Sequence, residues 1–386
     1  MKSKSDIGNY YDYINSYYLS QKRNMSYLND SWTDFNNWKT TAKAKALELL
    51  SYDPPKTDLS PQTIHSEDCG HFIQEEVSFN ISALTRIEAT VLVPKNGAKL
   101  HPAVVAIHDH GGFYYFGREK ILENNIKNPI KSEVLNEFKQ TIYAGRSWAN
   151  ELALRGYLVL IIDAFFFGKR RIDFDTVSED ILNSFGNPLK GLKKGSDSYI
   201  TAFNTLCQGY ERLLVKHIFT AGATWPGILA YDDRVSVDYL MTRDDVDPSR
   251  IGCCGLSIGG FRSALLAALD SRVKCGVVAG WMPTMKSLLY DHLRNHTYMV
   301  YIPGLAKYME LPDLVSLTAP NHLFVQQCSQ DALYTPEGMQ EACDIIQKVY
   351  KKAGVPDNFK YKFYDTPHVF SLDMQEEAFS WFDTCM

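Results

Sequence analysis

The sequence predicts a doubly wound α/β protein, in which a mostly parallel sheet is covered by helices on both faces. Several continuous apolar runs have the composition of strands that are buried on both sides. Helix-like stretches lie between these runs, and strands that alternate with helices are typical of parallel sheets. The strand-like runs are AVVAIHDHGG, YLVLIIDAFF, RIGCCGLS, CGVVAGW and HLFVQQCSQD, and the helix-like stretches are SWANELALRG, DDRVSVDYLMTRD, GFRSALLAALD and PEGMQEACDIIQKVYKKAG.

Strands of a different character flank the parallel ones. EEVSFNI and RIEATVLVPK alternate apolar with polar residues, which indicates a half-buried antiparallel pair ahead of the parallel strands. FKYKFYDTPH, the last strand-like run, is more amphipathic. We therefore expect this last strand to lie at an edge of the sheet.

The N-terminal segment, residues 1–70, predicts a helical extension that packs on the α/β domain at 71–386. The segment is polar, rich in aromatic residues and without strand-like alternation. An apolar stripe from Trp38 to Leu49 recurs at helical spacing, and Pro54 ends the pattern.

Two connections, at about 113–146 and 168–222, are too long to be simple loops. Long insertions at one edge of an α/β sheet commonly act as lids or pocket walls. The stretch GSDSYITAFNTLCQGYERLLVKHIFTAG inside the second insertion has a helical pattern, so we expect a folded, lid-like element there.

Composition excludes several classes of function. A formal net charge of −5 over 386 residues gives no reason to expect binding to nucleic acid or to an anionic membrane. No apolar run approaches the roughly 20 residues that a membrane helix requires. The stretch MKSKSDIGNYYDYINSYY lacks the apolar core of a signal peptide, so we expect a cytoplasmic protein.

The cysteines predict neither a disulfide framework nor a zinc cluster. Cys253, Cys254, Cys275 and Cys328 all lie in apolar, strand-like runs, where cysteine behaves as a small buried hydrophobe. The eight cysteines of the chain contain no CxxC pair.

The motif Gly255-Leu256-Ser257-Ile258-Gly259 lies between a strand-like run and a helix-like stretch. Gly-x-Ser-x-Gly at such a junction is the nucleophile-elbow pattern. The serine takes a strained backbone conformation, and the glycines are needed where the strand and the helix nearly touch. The new helix points its first amides at the serine, which favours negative charge there. Ser257 is therefore the predicted nucleophile.

A serine nucleophile needs a histidine that takes its proton and an acid that orients the histidine. In this pattern the acid and then the histidine follow the serine along the chain, each just after a later strand. Asp331 and His368 occupy those two positions and are the predicted acid and base. Asp365 competes as the acid, but it lies only three residues before His368 and would have to fold back tightly.

Acyl transfer also needs an oxyanion hole, a pair of backbone N–H groups that bind the negative oxygen of the substrate. One N–H group is expected from Ile258, and the other from the loop IHDHGGFYYFG after an early strand. Gly111 and Gly112 allow close backbone approach in this loop. The amide of Gly112 or Phe113 is therefore the predicted second donor.

Aromatic residues near these positions predict the wall of a mostly apolar substrate pocket, although aromatic-rich segments more often belong to the plain core. The predicted pocket residues are His110, Tyr114, Tyr115, Trp281 and Met282.

His108, Asp109 and His110 also suggest a metal site, because two histidines at a strand end can share one face. No further ligand cluster recurs with zinc-like spacing, and the glycines that follow explain the motif without a metal. We therefore expect neither a metal nor a cofactor.

Together these segments resemble the α/β-hydrolase superfamily, most closely its dienelactone-hydrolase-like and acetyl-xylan-esterase-like branch. The resemblance covers roughly residues 72–386 and implies Ser257 as nucleophile, Asp331 as acid and His368 as base. It also implies an oxyanion hole at the HGG loop and at Ile258.

The chain differs from dienelactone hydrolases, which use a cysteine nucleophile. It differs from glucuronoyl esterases in having isoleucine, not arginine, directly after the serine. The segments that carry the resemblance are IHDHGGFYYFG, IIDAFFFGKRR, GLSIGGFRSALLAALDSRVKCGVVAGWMPT, YIPGLAKYMELPDLVSLTAPNHLFVQQCSQDALYTPEGMQEA and FYDTPHVFSLDMQEEAFSWF.

The expected activity is hydrolysis of a small-molecule carboxylic ester through an acyl-enzyme. Peptide or amide cleavage and acyl transfer would use the same triad, and the sequence leaves them open. A non-catalytic binding protein on this fold is the alternative from another class, but the serine, the acid and the histidine are all present. The oligomeric state stays open, a homo-oligomer included, and no nucleic-acid or membrane partner is expected.

Overall fold

A computed structural model describes residues 4–123 and 131–386 of the chain. Within these residues nine strands form one sheet, and twelve α-helices surround it. The strands are β1 (Gln62–Asp68), β2 (Phe72–Ser82), β3 (Thr85–Pro94), β4 (His101–Ile107), β5 (Leu158–Ile162), β6 (Val246–Leu256), β7 (Val273–Ala279), β8 (His322–Cys328) and β9 (Phe359–Tyr364). The helices are α1 (Tyr11–Leu19), α2 (Phe35–Leu50), α3 (Glu133–Tyr143), α4 (Trp148–Leu154), α5 (Glu179–Ser184), α6 (Asp197–Thr220), α7 (Trp225–Met241), α8 (Ile258–Leu269), α9 (Met285–Leu288), α10 (Leu311–Val315), α11 (Pro336–Lys352) and α12 (Leu372–Cys385).

The order of the strands across the sheet is β1-β2-β3-β5-β4-β6-β7-β8-β9. The pairs from β5 through β4 to β9 are parallel, and β1, β2 and β3 join in antiparallel fashion. The predicted mostly parallel sheet is therefore confirmed. β9 is an edge strand, and β2 and β3 form the antiparallel pair, as the sequence indicated.

Helices cover both faces of the sheet because its strands alternate their apolar side chains between two cores. Cys254 belongs to the core that also contains residues of α4 and α12. Its neighbour Cys253 belongs to the opposite core, together with residues of α7 and α8. Adjacent residues of a strand point to opposite faces, so two neighbouring cysteines serve two different cores and cannot form a metal site together.

The N-terminal extension packs on the sheet domain through α2. The Asp34 side chain caps this helix by accepting hydrogen bonds from the amides of Asn36 and Asn37. Trp38, Ala42, Ala46 and Leu50 of α2 are buried in the core that also contains residues of α7 and α8. The buried stripe therefore ends at Leu50, one residue beyond the Leu49 that helical spacing suggested.

The structure differs from the sequence prediction at β1, which lies inside the segment expected to be helical. Nearly every side chain of β1 is exposed, so the segment carries no alternation of apolar and polar residues. β1 is held by backbone pairing with β2, in the register Ser66 to Glu75. Pairing of this kind depends on a neighbouring edge and leaves no hydrophobic signal in the sequence.

The two long insertions contain helices. Residues 124–130 of the first insertion lie outside the described residues, and α3 follows them. The second insertion contains α5 and the long helix α6, so the predicted folded element is present. Its Ser196 side chain accepts from the Tyr199 amide, an N-terminal cap that determines where α6 begins. None of the helices in residues 4–123 and 131–386 combines the length and the apolar character that a bilayer crossing requires.

Candidate active site

The loops after β4, β6, β8 and β9 open at one edge of the sheet, because these strands run parallel to one another. Ser257 directly follows β6, Asp331 lies shortly after β8, and His368 lies between β9 and α12. Open α/β sheets commonly bind ligands beyond the carboxyl ends of their strands. The fold therefore brings residues that are distant in sequence to one edge.

Ser257 occupies a strained turn between β6 and α8. Its φ is 59° and its ψ is −123°, a conformation that a residue with a side chain adopts only when its surroundings enforce it. A Cβ atom on Gly255 would lie 2.6 Å from the carbonyl carbon of Gly259. A Cβ atom on Gly259 would lie 2.4 Å from the carbonyl oxygen of Ile107. Both glycines are therefore required by close contact between β6, α8 and the end of β4.

The first amides of α8 lie beside Ser257, because this helix begins at Ile258. The first N–H groups of a helix have no partner within it, and the helix dipole adds positive charge at that end. Among the described residues, no hydrogen bond uses the Ile258 amide or the Ser257 hydroxyl. Both groups are therefore available to a molecule that contacts this turn.

His368 and Asp331 form a close pair. The distance from His368 Nδ1 to Asp331 Oδ2 is 2.5 Å. Asp331 Oδ1 accepts a hydrogen bond of 2.9 Å from the amide of Leu333, which orients the carboxylate. The Asp331 side chain is 1% exposed, whereas that of His368 is 22% exposed. Because Nδ1 donates to the carboxylate, Nε2 of the neutral imidazole is left as an acceptor.

Asp365, the competing acid, points elsewhere. It is exposed, and its Oδ1 accepts from Gln330 Nε2 at 2.8 Å and from Ser329 Oγ at 3.4 Å. The acid that pairs with His368 is therefore Asp331.

A cavity of about 220 Å³ adjoins these groups, and both Ser257 and His368 line it. Trp281 and Tyr334 supply aromatic surface to this cavity, while amide and hydroxyl groups make the rest of its wall partly polar. The other lining residues are His110, Gly111, Gly112, Gln208, Ile258, Asn295, His296, Thr297, Val300 and Leu333.

Of the predicted pocket residues, the structure brings His110 and Trp281 to the cavity. Tyr114 is fully buried and its ring stacks on Phe167 at 5.0 Å. Tyr115 packs against other aromatic rings of the second insertion, and Met282 is fully buried in the core. Among the described residues, the cavity lining does not include these three. Their apolar surface is used for packing, the role that aromatic-rich segments commonly have.

Glu211 of α6 joins three separate parts of the site. Its Oε1 accepts from His110 Nε2 at 3.0 Å and from the Tyr114 hydroxyl at 2.9 Å. The Thr297 hydroxyl lies 2.8 Å from Oε1 and 2.9 Å from Oε2. Burial raises the pKa of Glu211, but the His110 contact and the hydroxyl donors outweigh it and hold this pKa below its usual value. Glu211 is therefore a charged carboxylate that ties the second insertion to the loop after β4.

The two amides predicted for the second oxyanion donor are engaged within their own loop. The Gly112 amide donates to His110 Nδ1 at 3.0 Å, and the Phe113 amide donates to the His110 carbonyl at 3.0 Å. Neither amide is free to bind a substrate oxygen in this arrangement, which argues against Gly112 and Phe113. The amides of His110 and Gly111 donate to no acceptor among the described residues.

The His108-Asp109-His110 segment has no nitrogen left for a metal. His108 Nδ1 contacts the carbonyl of Asp109 at 2.8 Å, and its Nε2 accepts from the Ala164 amide at 3.0 Å. Burial lowers the pKa of His108 well below its usual value, so this imidazole is neutral. His110 uses Nε2 towards Glu211 and Nδ1 towards the Gly112 amide. Both imidazoles are therefore fully hydrogen-bonded without an ion.

Solved structures of other proteins resemble this one over nearly the whole chain. An acetyl xylan esterase of Bacteroides fragilis, so described provisionally, matches 94% of this chain and 84% of its own, with a TM-score of 0.67 and 17% identity. The glucuronoyl esterase from Solibacter usitatus matches 91% of this chain and 94% of its own, with a TM-score of 0.60 and 15% identity. The chain has the α/β-hydrolase fold.

A curated relative extends this likeness to the sequence. The protein YtaP of Bacillus subtilis (strain 168), provisionally named a hydrolase, is 25% identical over 339 residues, which cover 87% of this chain and 96% of the relative. No protein-family model matches the chain. The predicted resemblance to the α/β hydrolases is thus confirmed at the level of the fold.

Several residues that line this cavity or support its wall were not predicted from the sequence. Gln208 and Glu211 lie three residues apart on α6 and therefore share a face of that helix. Asn295 and Thr297 follow β7 in a region of short turns. No local motif marks any of these residues. For Gln208 and Glu211, the available signal was the position of α6 inside an insertion that was expected to form a wall of the pocket.

Proposed function

We propose that the protein is a serine hydrolase that cleaves carboxylic esters, with Ser257 as nucleophile, His368 as base and Asp331 as acid. The observation that carries this proposal is the 2.5 Å contact between His368 Nδ1 and Asp331 Oδ2 at a cavity that Ser257 also lines. An imidazole oriented by a buried carboxylate, next to a serine in an elbow turn, is the arrangement that activates a hydroxyl for attack.

The first step forms a tetrahedral intermediate on the way to the acyl-enzyme. His368 Nε2 takes the Ser257 proton while Ser257 Oγ forms a bond to the ester carbonyl carbon, and the carbonyl electron pair moves to the oxygen. Asp331 keeps the imidazole in the correct tautomer and stabilises its charged form. The contact between serine and histidine often tightens only when substrate is bound, so a prior hydrogen bond is not required.

The negative oxygen of this intermediate needs two donors. We assign one to the Ile258 amide, which lies beside Ser257 at the start of α8. We assign the other to the His110 or Gly111 amide in the loop after β4, in place of the engaged amides of Gly112 and Phe113. The loss of one such donor typically raises the barrier by about 2.7–4 kcal/mol.

The second step releases the products. The tetrahedral intermediate collapses to the acyl-enzyme: the carbonyl double bond re-forms, the bond to the alcohol oxygen breaks, and the His368 imidazolium gives its proton to that oxygen. Water then attacks the acyl-enzyme while His368 takes one of its protons. The bond between Ser257 Oγ and the acyl carbon breaks, the acid leaves, and Ser257 regains its proton. Each residue returns to its starting state, and the cycle uses no cofactor.

The substrate class that we propose is a small ester of a hydroxyl-rich molecule such as a carbohydrate. The amide groups of Gln208 and Asn295 and the hydroxyl of Thr297 line a cavity of about 220 Å³ and can hydrogen-bond to sugar hydroxyls. Trp281 and Tyr334 offer aromatic surface to the same molecule. Two proteins of similar structure are named after acetyl xylan and glucuronoyl esters, which supports this choice.

A panel of substrates tests the proposal. p-Nitrophenyl esters of increasing acyl length, an acetylated xylo-oligosaccharide, a methyl glucuronate and a p-nitroanilide are compared at equal concentration. We expect the short acyl esters to be hydrolysed fastest, because the cavity is small. Hydrolysis of the anilide alone would replace the ester proposal with amide cleavage.

Ser257→Ala tests the mechanism in the same assay, with Ser263→Ala as its matched control. Ser263 lies on α8, the helix that follows Ser257, is fully buried, and its hydroxyl has no partner among the described residues. We expect Ser257→Ala to lose at least about 10³-fold in kcat and Ser263→Ala to keep wild-type activity. Ester hydrolysis that persists in Ser257→Ala would refute the proposed nucleophile.

A further inference from the structure

Two successive carbonyl groups of the loop after β4 are held by the same ammonium group. The carbonyl oxygen of Asp109 accepts from Lys120 Nζ, and it also contacts His108 Nδ1 at 2.8 Å. The carbonyl oxygen of His110 accepts from Lys120 Nζ at 3.3 Å and from the Phe113 amide at 3.0 Å. Lys120 therefore bridges two neighbouring peptide groups from one side.

The planar peptide bond determines where the two following amides point. In a trans peptide, the carbonyl of one residue and the N–H of the next residue point in opposite directions. Because the Asp109 and His110 carbonyls face Lys120, the N–H groups of His110 and Gly111 point away from it. Both residues line the cavity beside Ser257, whereas Lys120 is not among its lining residues. The amide side of these peptides is therefore the side of the cavity.

Lys120 itself is fully buried, which is rare for lysine unless its charge has partners. Its Nζ lies 3.6 Å from Asp109 Oδ1, and 4.9 Å from the centre of the Phe167 ring. Burial lowers the pKa of Lys120, and the nearby Asp109 carboxylate opposes that effect. A buried ammonium is costly, so its partners, the two carbonyl oxygens above all, are the groups that hold it there.

The loop has little freedom to move away from Lys120. The Tyr143 hydroxyl donates to Asp109 Oδ1 at 2.5 Å. Gly111 has a φ of +54°, and a Cβ atom there would lie 2.4 Å from the Phe138 ring and 2.5 Å from Asp109 Oδ2. The chain therefore fits tightly between the Asp109 side chain and Phe138 at the residue whose amide faces the cavity.

We propose that Lys120 is a positioning residue that holds the amides of His110 and Gly111 in place as the second half of the oxyanion hole. This inference rests on the proposed serine-hydrolase function. Lys120 also withdraws electron density from both carbonyl groups, which makes the amides of the same peptides better donors. It touches no substrate and acts through the two peptide groups.

Lys120→Met tests the inference, because methionine is similar in length and lacks the charge and the N–H donors. Lys139→Met is the matched control. Lys139 is a largely buried lysine that also donates to a backbone carbonyl, that of Leu122 at 2.8 Å, but it does not contact the loop after β4. kcat and KM for p-nitrophenyl acetate are measured for both variants, and circular dichroism with thermal unfolding checks that each is folded.

We expect kcat of Lys120→Met to fall about 10- to 100-fold, up to the effect of losing one oxyanion donor, with KM within about threefold of wild type. The pH profile of kcat/KM should keep its shape, because the base is untouched. The rate at which a fluorophosphonate labels Ser257 should fall with kcat, since the phosphoryl oxygen occupies the same hole. Lys139→Met should match wild type in all three readouts.

Lys120→Gln covers the case in which the methionine variant does not fold. Its side chain is shorter and neutral and cannot bridge both carbonyls, so we expect kcat to fall at least about fivefold with KM unchanged. An unchanged kcat in whichever variant folds overturns the inference, as does a loss that lies only in KM. A wild-type protein that neither hydrolyses the ester nor reacts with the fluorophosphonate overturns the proposed function instead, so the two failures are distinct.

Discussion

Two histidines that line the same cavity each contact a carboxylate, and they differ in what the second ring nitrogen does. His368 contacts Asp331 through Nδ1, and its other nitrogen is left as an acceptor at a cavity that Ser257 also lines. His110 contacts Glu211 through Nε2, while its Nδ1 accepts from the Gly112 amide. The first histidine can therefore take a proton from a hydroxyl, and the second cannot without losing a hydrogen bond.

The difference shows that a buried carboxylate does not by itself make its histidine a base. Glu211 is surrounded by donors from the loop after β4 and from Thr297, so it holds backbone and side chains in place. Within the part of the chain that the structure describes, Asp331 has one amide donor besides the imidazole, from Leu333. In the first pair the carboxylate orients a proton acceptor, and in the second it fixes the wall of the cavity.

Breaking the first pair should have the largest effect on activity. Asp331→Asn removes the charge that stabilises the imidazolium and favours the wrong tautomer of His368. We expect kcat/KM to fall about 10⁴-fold, because asparagine can donate to Nδ1 where the aspartate accepts. The measurement is steady-state hydrolysis of p-nitrophenyl acetate at neutral pH.

Asp365→Asn is the matched control for this substitution, since Asp365 is exposed and contacts only Ser329 and Gln330 among the described side chains. We expect it to retain wild-type kcat/KM. If Asp365→Asn were the inactive variant and Asp331→Asn the active one, the acid would have to be reassigned.

Breaking the second pair should cost stability more than catalysis. Glu211→Gln leaves one acceptor oxygen for the three side chains that now donate to the carboxylate, those of His110, Tyr114 and Thr297. It also places an N–H donor against one of these donors. An unsatisfied buried polar group typically costs about 1–3 kcal/mol, so we expect a lower melting temperature. We expect kcat to fall no more than about 10-fold, because His110 donates no proton in the reaction and only the loop geometry changes.

The matched control is Glu137→Gln, a substitution of an exposed glutamate of α3.

The pKa of Glu211 is lowered in the folded protein. The stability that the Glu211 carboxylate contributes is therefore present above the usual carboxyl pKa of about 4.3 and is lost as the pH falls through the pKa of Glu211 in the folded protein. The gap in melting temperature between wild type and Glu211→Gln should therefore narrow in acid. A kcat loss as large as that of Asp331→Asn would show that the two pairs do not differ in role.

The comparison also explains how much the sequence alone could predict. Ser257, Asp331 and His368 each follow a strand-like run, so local pattern was enough to predict that the fold brings them to one edge of the sheet. Glu211 pairs with a histidine 101 residues away, and nothing local distinguishes it from a surface glutamate on a helix. The fold was predictable for a similar reason, since each buried strand carries its own apolar signal.

The differences between these expectations and the structure have a common physical cause. β1 is held by backbone pairing, and the Gly112 and Phe113 amides are engaged by the His110 side chain and carbonyl. Backbone hydrogen bonds are available to every residue except proline, so residue identity does not reveal which of them form. A glycine-rich loop predicts that an amide can approach a substrate. It does not predict which amide remains unpaired.

A third imidazole at the cavity, that of His296, sharpens the comparison because no carboxylate of the described residues hydrogen-bonds to it. Its Nε2 donates to the carbonyl of Leu333 at 3.1 Å, and its ring stacks on Tyr334 at 5.4 Å. Burial lowers the pKa of His296 to about 4, below the value of about 6.5 in an unfolded chain. The folded protein therefore binds this proton less readily than the unfolded chain does.

The stability that this difference provides is fully present above about pH 6.5 and is lost progressively as the pH falls towards the folded value. We expect wild type to lose about 2 kcal/mol from this position between pH 7 and pH 5. His296→Gln keeps a side-chain donor for Leu333 but cannot be protonated, so its melting temperature should fall less over the same interval. If the melting temperatures of wild type and His296→Gln fell equally over this interval, His296 would have to accept a proton inside the folded protein. An imidazole at this cavity could then become charged without a hydrogen bond to a carboxylate.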